Sequence, residues 1–115
     1  MQVVRKHGVN TSAELYELMG GQVTRKIVEV VGQDLEIAAY VQYYDSDPQT
    51  GAVKQVCVIK TVEGELFGTA SPTFNRDFDK LCSVYEQFND VPKIIRVECA
   101  TSKAGRQFNI CKAVK

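Results

Sequence analysis

The fold of this chain is decided by residues 34–44, which read DLEIAAYVQYY. Apolar residues occupy every second position here, and this period of two is typical of a strand that buries one face. The pattern places one set of side chains together on one face: Leu35, Ile37, Ala39, Val41 and Tyr43. The opposite face then carries Glu36, Ala38, Tyr40, Gln42 and Tyr44. We expect the first face to be buried, and Tyr40 and Tyr44 to be exposed.

Four more strands and a long helix are predicted after this stretch. Residues 53–62 and 65–70 predict two strands, and residues 93–100 and 106–114 predict two others. Between these pairs, Ser71 and Pro72 are typical of a helix start. Apolar residues recur at helical spacing from Phe74 to Phe88, and residues 89–92 end the helix. The order β-β-β-α-β-β predicts an all-β protein with helices, of the OB-fold type, which is a five-stranded Greek-key barrel.

The N-terminal part is predicted to be an arm and a short helix, residues 1–21, ahead of an OB-fold domain at residues 22–115. The pattern Thr11-x-x-Glu14 is a capping box, which begins a helix. The added helix has three apolar positions and no place in a five-stranded barrel. We therefore expect it either to plug the barrel end or to pack against a second subunit, so the protein is a monomer or a homodimer. Residues 22–31 are expected to be extended.

Composition gives 115 residues with 14 Lys+Arg and 14 Asp+Glu, hence a formal net charge of zero. The length fits one domain. No apolar run approaches the ~20 residues of a membrane span, and no apolar run follows the basic N-terminus as in a secretory signal. The charge is unevenly distributed, because residues 93–115 hold six Lys or Arg and one Glu, a net of +5. A polyanionic partner is therefore compatible with the neutral total.

Catalytic and metal chemistry are not indicated. The cysteines at 57, 82, 99 and 111 include no C-x-x-C pair of the kind that zinc sites use. They suit structural thiols in a reducing cytosol. The single histidine, His7, lies in a polar leader with nothing nearby to orient it for catalysis. We expect no enzyme activity, no catalytic residue, no metal and no cofactor.

Binding of single-stranded nucleic acid needs aromatic planes for the bases and cations along the phosphates. In OB-folds such ligands lie across strands two and three and the adjoining loops. The period-two pattern requires one of Leu66 and Phe67 to face outward, and we choose Phe67 while leaving the reverse open. The candidate rings are Tyr40, Tyr43, Tyr44 and Phe67. The candidate cations are Lys54, Lys60, Lys103, Arg106 and Lys112, with a merely solvated strand edge as the alternative for each lysine.

Three segments resemble the small single-stranded DNA-binding proteins of protein-primed tailed phages, the Salasmaviridae type: residues 20–22, 35–43 and 100–108. The resemblance covers residues 20–115 and implies a protein that coats and protects single-stranded DNA with little sequence preference during bacteriophage DNA replication. It implies the host cytoplasm as location and replication proteins as further partners. By position it implies DNA contacts at Tyr40, Tyr43, Phe67, Lys103 and Arg106. The alternative is an OB-fold module that binds a replication or recombination protein.

Overall fold

The computed structural model describes residues 2–21 and 24–114. Within this part of the chain, seven strands form one curled mixed sheet. The strands are β1, Gln2–His7; β2, Arg25–Lys26; β3, Asp34–Ser46; β4, Val53–Thr61; β5, Leu66–Thr69; β6, Ile94–Thr101; and β7, Gln107–Ala113. The helices are α1, Ser12–Tyr16, which runs into a π-helical turn at Glu17–Gly21, and α2, Pro72–Glu86. The prediction of an all-β, barrel-like protein with helices is confirmed, as are the five strands from residue 34 onward.

The long strand β3 is central to the sheet because it pairs with three other strands. One of its edges pairs with β4 from Ile37 to Ser46, and the other pairs with β6 at Asp34–Glu36 and with β1 at Tyr40–Tyr44. These pairs are antiparallel, and so are β4 with β5 and β6 with β7. The short strand β2 runs parallel to β5. Because the two ends of β3 pair with different strands, the sheet curls into a half-barrel.

A bulge in β3 reverses the faces that the alternating pattern predicts. Ile37 is opposite Thr61 but Ala39 is opposite Lys60, so Ala38 is an extra residue in the strand. An extra residue moves every later side chain to the other face. The core contacts follow this reversal, because Tyr40 packs in the same cluster as Leu35 and Ile37. The predicted faces of this strand are therefore wrong beyond residue 38.

We call the inner face the side of the sheet that α2 covers. Its core contains the largest fully buried side chains, Phe67, Phe74 and Phe78, and β6 and β7 curl over to join it. Arg25 lies against this core from the edge, with its guanidinium carbon 5.0 Å from the centre of the Phe67 ring. The buried members from β3, β4, β5 and α2 are Leu35, Tyr40, Cys57, Ile59, Phe67, Phe74, Phe78 and Cys82, and those from β6 and β7 are Ile95, Val97 and Cys111.

The outer face is the opposite side of the same strands. Its buried residues form a second, smaller cluster: Leu18, Ala39, Val41, Tyr43, Val58 and Leu66. Leu18 comes from the π-helical turn, and Leu15 and Met19 pack beside it. The N-terminal helix thus lies on the outer face of its own chain. The prediction that it plugs the barrel end is wrong.

The first residues are part of the sheet and do not form the predicted arm. Strand β1 is bound to α2 by Arg5, whose guanidinium donates to Asp79 at 2.5 Å and to Glu86 at 2.8 Å. The same group donates to the Oε1 of Gln42 at 3.0 Å, and Gln42 is completely buried. Arg5 therefore connects β1, β3 and α2 in one hydrogen-bonded network.

Two other segments differ from the prediction. Residues 22 and 23 lie outside the described residues, and of residues 24–31 only Arg25–Lys26 is a strand, followed by a 3-10 turn at Ile27–Val30. Helix α2 ends at Glu86, so Phe88 lies beyond it and is 79% exposed instead of packing in the core. No described helix is long and apolar enough to cross a membrane.

Candidate nucleic-acid interface

A groove of about 290 Å³ crosses the outer face over β4 and β5. The π-helical turn forms one wall with Leu18, Met19 and Gly20, and β2 forms the other with Thr24, Arg25 and Lys26. Tyr43, Val56, Val58 and Gly68 are on the floor, and Lys54 and Asp45 lie at one end. Three cations and one carboxylate line the groove, before the carboxylates that pair with Arg25 from outside the lining are counted.

Two of the three groove cations are available to a ligand. Arg25 is engaged, with Glu65 at 2.5 Å and Glu29 at 3.4 Å. Lys26 and Lys54 are exposed, and among the described residues neither has a carboxylate within 4 Å of its ammonium group. A phosphate in the groove would therefore meet two ammonium groups that have no close ion-pair partner among the described residues. Asp45 and Asp47 lie near Lys54, and Glu29 lies near Lys26.

A second cavity, of about 260 Å³, continues the groove past the end of β5. It shares Lys26 and residues 68–70 with the groove and reaches Asn109 of β7. Asn109 is two residues into β7, which starts where the β6–β7 hairpin loop ends. The two cavities thus form a continuous depression that leads from Lys54 toward this loop.

The hairpin loop carries the two predicted cations Lys103 and Arg106. The loop is closed by backbone hydrogen bonds from Ser102 to the Arg106 carbonyl at 2.8 Å and from Gly105 to the Ser102 carbonyl at 2.9 Å. Gly105 has a φ of +84°, a conformation that suits glycine. Both cationic side chains are exposed, and neither has an ion-pair partner among the residues described.

Tyr40 is not exposed, contrary to the prediction. Its side chain is only 2% accessible, and its ring meets Phe78 of α2 edge-to-face at a centroid distance of 5.0 Å. Burial, with Cys82 beside it, raises the pKa of the phenol above its usual value. The bulge at Ala38 is the reason, because it turns Tyr40 toward the inner face. A base has no access to this ring.

The choice of Phe67 as the outward-facing ring is wrong; the reverse assignment, which the pattern leaves open, gives the two faces correctly, although Leu66 is covered as well. Phe67 is 2% exposed in the inner core, and Leu66 is 7% exposed on the outer face. Both are buried because the sheet is covered on both sides at β5. Phe67 therefore offers no plane for stacking.

The two remaining tyrosines occupy different places. Tyr43 lies on the floor of the groove but is 7% exposed, and its hydroxyl donates to the carbonyl oxygen of Met19 at 3.3 Å. Burial raises the pKa of this phenol. Tyr44 is 41% exposed, at a position of β3 that is paired with Gln2 and Gln55. Of the four predicted rings, Tyr44 alone is open to solvent.

The other two predicted cations already have partners. The Nζ of Lys60 lies 2.8 Å from a Glu17 carboxylate oxygen, and the Nζ of Lys112 lies 3.0 Å from Glu98. Lys60 shares the outer face with Lys54, as the spacing predicts. Lys112 is on β7 and lines neither the groove nor the cavity that continues it.

Comparisons of this chain with family models, with curated proteins and with solved structures give no match. The resemblance to the phage DNA-binding proteins therefore stays a prediction that rests on the segments quoted above. The geometry of the groove is independent of that resemblance.

Arg25 and Lys26 are the interface residues that the sequence reasoning missed. They are consecutive cations in a segment whose pairing the pattern did not reveal. The sequence does contain a signal for a basic edge, since these two adjacent cations lie shortly after Gly20-Gly21 and directly before the apolar Ile27 and Val28. Their place beside the groove depends on the parallel pairing of β2 with β5, which a single sequence does not display.

Three of the four cysteines lie in the inner core, and the single histidine packs against Tyr40. All four thiols are free; Cys57, Cys82 and Cys111 are buried in the inner core, and Cys99 is exposed. Burial raises the pKa of Cys82 to about 11 and that of Cys111 to about 12. The ring of His7 packs at 5.4 Å from that of Tyr40. Among the described residues no group of three or more His, Cys, Asp or Glu side chains fits a metal ion.

Proposed function

We propose that this protein binds single-stranded DNA, coats it with little sequence preference and protects it during bacteriophage DNA replication. The observation that carries the proposal is the groove on the outer face with its exposed cations. It holds the ammonium groups of Lys26 and Lys54, which have no close ion-pair partner among the described residues, and leads across β5 toward the loop with Lys103 and Arg106. A shallow path with cations along it suits a flexible polyphosphate backbone.

The topology supports assigning the OB-fold as part of this proposal. The strands β5-β4-β3-β6-β7 are neighbours in that order, and α2 connects β5 to β6. In an OB-fold numbering, β3 to β7 would be strands one to five, and β1 and β2 would be additions. The groove then lies on strands two and three, where OB-folds hold oligonucleotides. Because β1 pairs with β3, we place the start of this domain at Gln2.

Phosphate contacts dominate the affinity that we expect. Tyr40, Tyr43 and Phe67 are buried, and Tyr44 lies on the α2 side of the sheet. Base stacking of ~1–3 kcal/mol per base therefore arises only where the strand passes beyond the Lys54 end of the groove and reaches Tyr44. Each phosphate contact on a single strand adds about 0.7 to the slope of log affinity against log salt. We therefore expect micromolar or weaker binding that falls steeply as salt is added.

A titration with fluorescently labelled oligo-dT at two salt concentrations tests the proposal, with anisotropy as the readout. Tyrosine fluorescence gives a label-free check, since the chain has five Tyr and no Trp. The variant is Lys26→Ala/Lys54→Ala, and the matched control is Lys80→Ala/Lys93→Ala, which removes the same charge at exposed positions outside the groove. We expect the groove variant to lose on the order of tenfold in affinity and about 1.4 in salt slope.

Two results would overturn this proposal. One is the absence of oligo-dT binding by the wild-type protein at low salt. The other is an equal loss of affinity in the two double variants, because that outcome assigns binding to overall charge and not to the groove.

A second candidate function is the protein-interaction module. Val84, near the end of α2, is 52% exposed, and Phe88, just beyond that end, is 79% exposed. Both lie outside the groove. Large exposed apolar side chains are enriched at protein interfaces. Binding of a purified replication protein that Phe88→Ser abolishes, with no oligo-dT binding by the wild type, would replace the first proposal with this one.

A further inference from the structure

We propose that the segment Thr11–Gly20, which supplies one wall of the groove, is also a cover over part of its floor, and that a DNA strand displaces it on binding. This inference rests on the proposed function and concerns regulation of the same site. The cover occupies two residues that the sequence predicts as DNA contacts, Lys60 and Tyr43. It does so with a carboxylate and a backbone carbonyl, which are groups that a DNA strand can replace.

The first contact joins Glu17 to Lys60. The carboxylate oxygen of Glu17 lies 2.8 Å from the Nζ of Lys60, on the face that also carries Lys54. A phosphate oxygen makes the same charge-assisted hydrogen bond to an ammonium group. Glu17 therefore holds the place that a phosphate would take at Lys60, and the two compete for it.

The second contact hides the ring of Tyr43. Its hydroxyl donates to the Met19 carbonyl oxygen at 3.3 Å, and Leu18 packs in the same apolar cluster. Leu18 is itself 3% exposed, so it is fully inserted between the segment and the sheet. Removal of Leu18 from this position exposes the floor of the groove, and Tyr43 then becomes a ring on which a base stacks.

The cover is weakly held compared with the rest of the fold. Helix α1 has five residues and no buried residue, and isolated helices shorter than ~12 residues are marginal in water. The side chains of Glu17 and Lys60 are 41% and 35% exposed, and such ion pairs contribute at most ~1 kcal/mol. None of the described residues from 11 to 20 pairs with a strand. The segment therefore leaves the groove without breaking the sheet.

Displacement has a measurable consequence for affinity. If DNA binds only the uncovered state, the apparent dissociation constant equals the intrinsic one divided by the uncovered fraction. Any change that weakens the cover without touching the groove cations then tightens DNA binding. A variant that gains function in this way is not expected from a segment with a purely structural role.

Two variants weaken the cover by different means. Glu17→Gln removes the carboxylate from Lys60, and Leu18→Ala removes the inserted side chain. We expect each to raise oligo-dT affinity on the order of three- to tenfold. The control is Asp90→Asn, which changes the net charge by the same amount at an exposed position outside the groove and keeps the oxygen that accepts from the Val91 N–H at 2.8 Å. We expect the control to change affinity by less than about twofold.

Hydrogen exchange of the wild-type protein with oligo-dT gives a direct readout of the segment. We expect amides of residues 11–20 to exchange faster when DNA is bound, while amides of β4 and β5 exchange more slowly. Ligand binding to a rigid site would slow exchange in both regions or leave residues 11–20 unchanged. Should Leu18→Ala fail to fold, Glu17→Gln and the exchange experiment carry the test.

The failures of the two proposals are distinguishable. If the wild type binds oligo-dT but both cover variants bind no better than Asp90→Asn, and exchange at residues 11–20 does not accelerate, the cover is overturned and DNA binding stands. If neither the wild type nor any variant binds oligo-dT at low salt, the proposed function falls and the cover falls with it. Binding by the cover variants alone supports both.

Discussion

The two faces of the sheet are covered by elements that bury very different numbers of side chains. The inner face is covered by a helix of 15 residues, which inserts Phe74, Phe78 and Cys82 into the main core. The outer face is covered by a segment of which only Leu18 is buried. Because β3 takes part in both faces, one strand connects a densely packed scaffold to a thin, replaceable layer. The difference indicates that most of the stability resides on the inner side, and the outer side is the one on which we propose that DNA binds.

The largest expected effect is on the inner face. Phe78 is fully buried, between the Tyr40 ring at 5.0 Å and the Phe74 ring at 6.3 Å. Phe78→Ala removes these contacts and leaves a cavity, which costs about 3–5 kcal/mol in the free energy of unfolding. Urea unfolding followed by far-ultraviolet circular dichroism measures this loss.

Leu18→Ala is the corresponding substitution on the outer face. If it lowered the free energy of unfolding as much as Phe78→Ala does, the contrast between the two faces would not hold. We expect it to reduce the free energy of unfolding by less than half as much as Phe78→Ala, because the thin layer relaxes around the missing side chain. Equal losses in the two variants would show that the outer layer is as integral to the fold as α2.

Alkaline pH is expected to weaken the inner face next. Three thiols are buried there, and burial raises the pKa of Cys82 from 9.0 to about 11 and that of Cys111 from 9.0 to about 12. Above the unfolded value the unfolded chain binds fewer protons than the folded one, so stability falls as pH rises. The contribution of these thiols to the free energy of unfolding is complete below about pH 9 and is lost as the pH rises through their pKa values in the folded protein. For Cys82 alone this contribution is about 3 kcal/mol.

Urea midpoints at about pH 8, 10 and 11 measure this decline. Cys82→Ser replaces a titrating group with one that does not ionise, and it should make the decline shallower. Cys99→Ser alters the exposed cysteine and should leave the decline unchanged. A decline that is identical in both variants would assign the pH dependence to groups other than the buried thiols.

Arg5 gives a smaller effect and tests how β1 is bound to the inner face. Its side chain is 15% exposed, and it donates to the buried Oε1 of Gln42 at 3.0 Å. Arg5→Met keeps much of the apolar stem but leaves that oxygen without its donor, at a cost of about 1–3 kcal/mol. Urea unfolding measures the loss, with Lys6→Met, an exposed neighbour, as the control that we expect to change stability by less than ~0.5 kcal/mol. Equal values for the two variants would contradict a linking role for Arg5.

The sequence predicts the elements of this fold better than their faces. Periodicity locates β3 to β7 and α2, because each strand or helix repeats its own apolar spacing over many residues. The bulge at Ala38 adds one residue to β3 and leaves no mark in the pattern, since Ala38 and Ala39 are both small and apolar. For the same reason Tyr40 was predicted on the wrong face.

Long-range pairing is the other part that a single sequence does not contain. Leu66 and Phe67 are both buried because other residues pack on each side of β5. Those on the outer side lie about 50 positions earlier in the chain than Leu66. Arg5 donates hydrogen bonds to Asp79 and Glu86, which lie more than 70 positions along the chain. Lys54, Lys103 and Arg106 are exposed, as expected of surface charge in strands and hairpin loops, while their contact with DNA stays a prediction.

The smallest expected effect on stability is at Tyr44, where an effect on binding is expected instead. This ring is 41% exposed and stands at a position of β3 beyond the buried part of the inner face. Tyr44→Ala should change the free energy of unfolding by less than ~0.5 kcal/mol, because few contacts are lost. If the ring stacks on a base, the same variant loses about 1–3 kcal/mol of oligo-dT binding, while Tyr44→Phe, which keeps the plane, retains most of it. Phe88→Ala, at a ring that is 79% exposed beyond α2 and outside the groove and the cover, is the control for loss of an exposed aromatic ring. An equal response of the Tyr44→Ala and Phe88→Ala variants would remove Tyr44 from the interface and leave binding to the phosphate contacts of the groove.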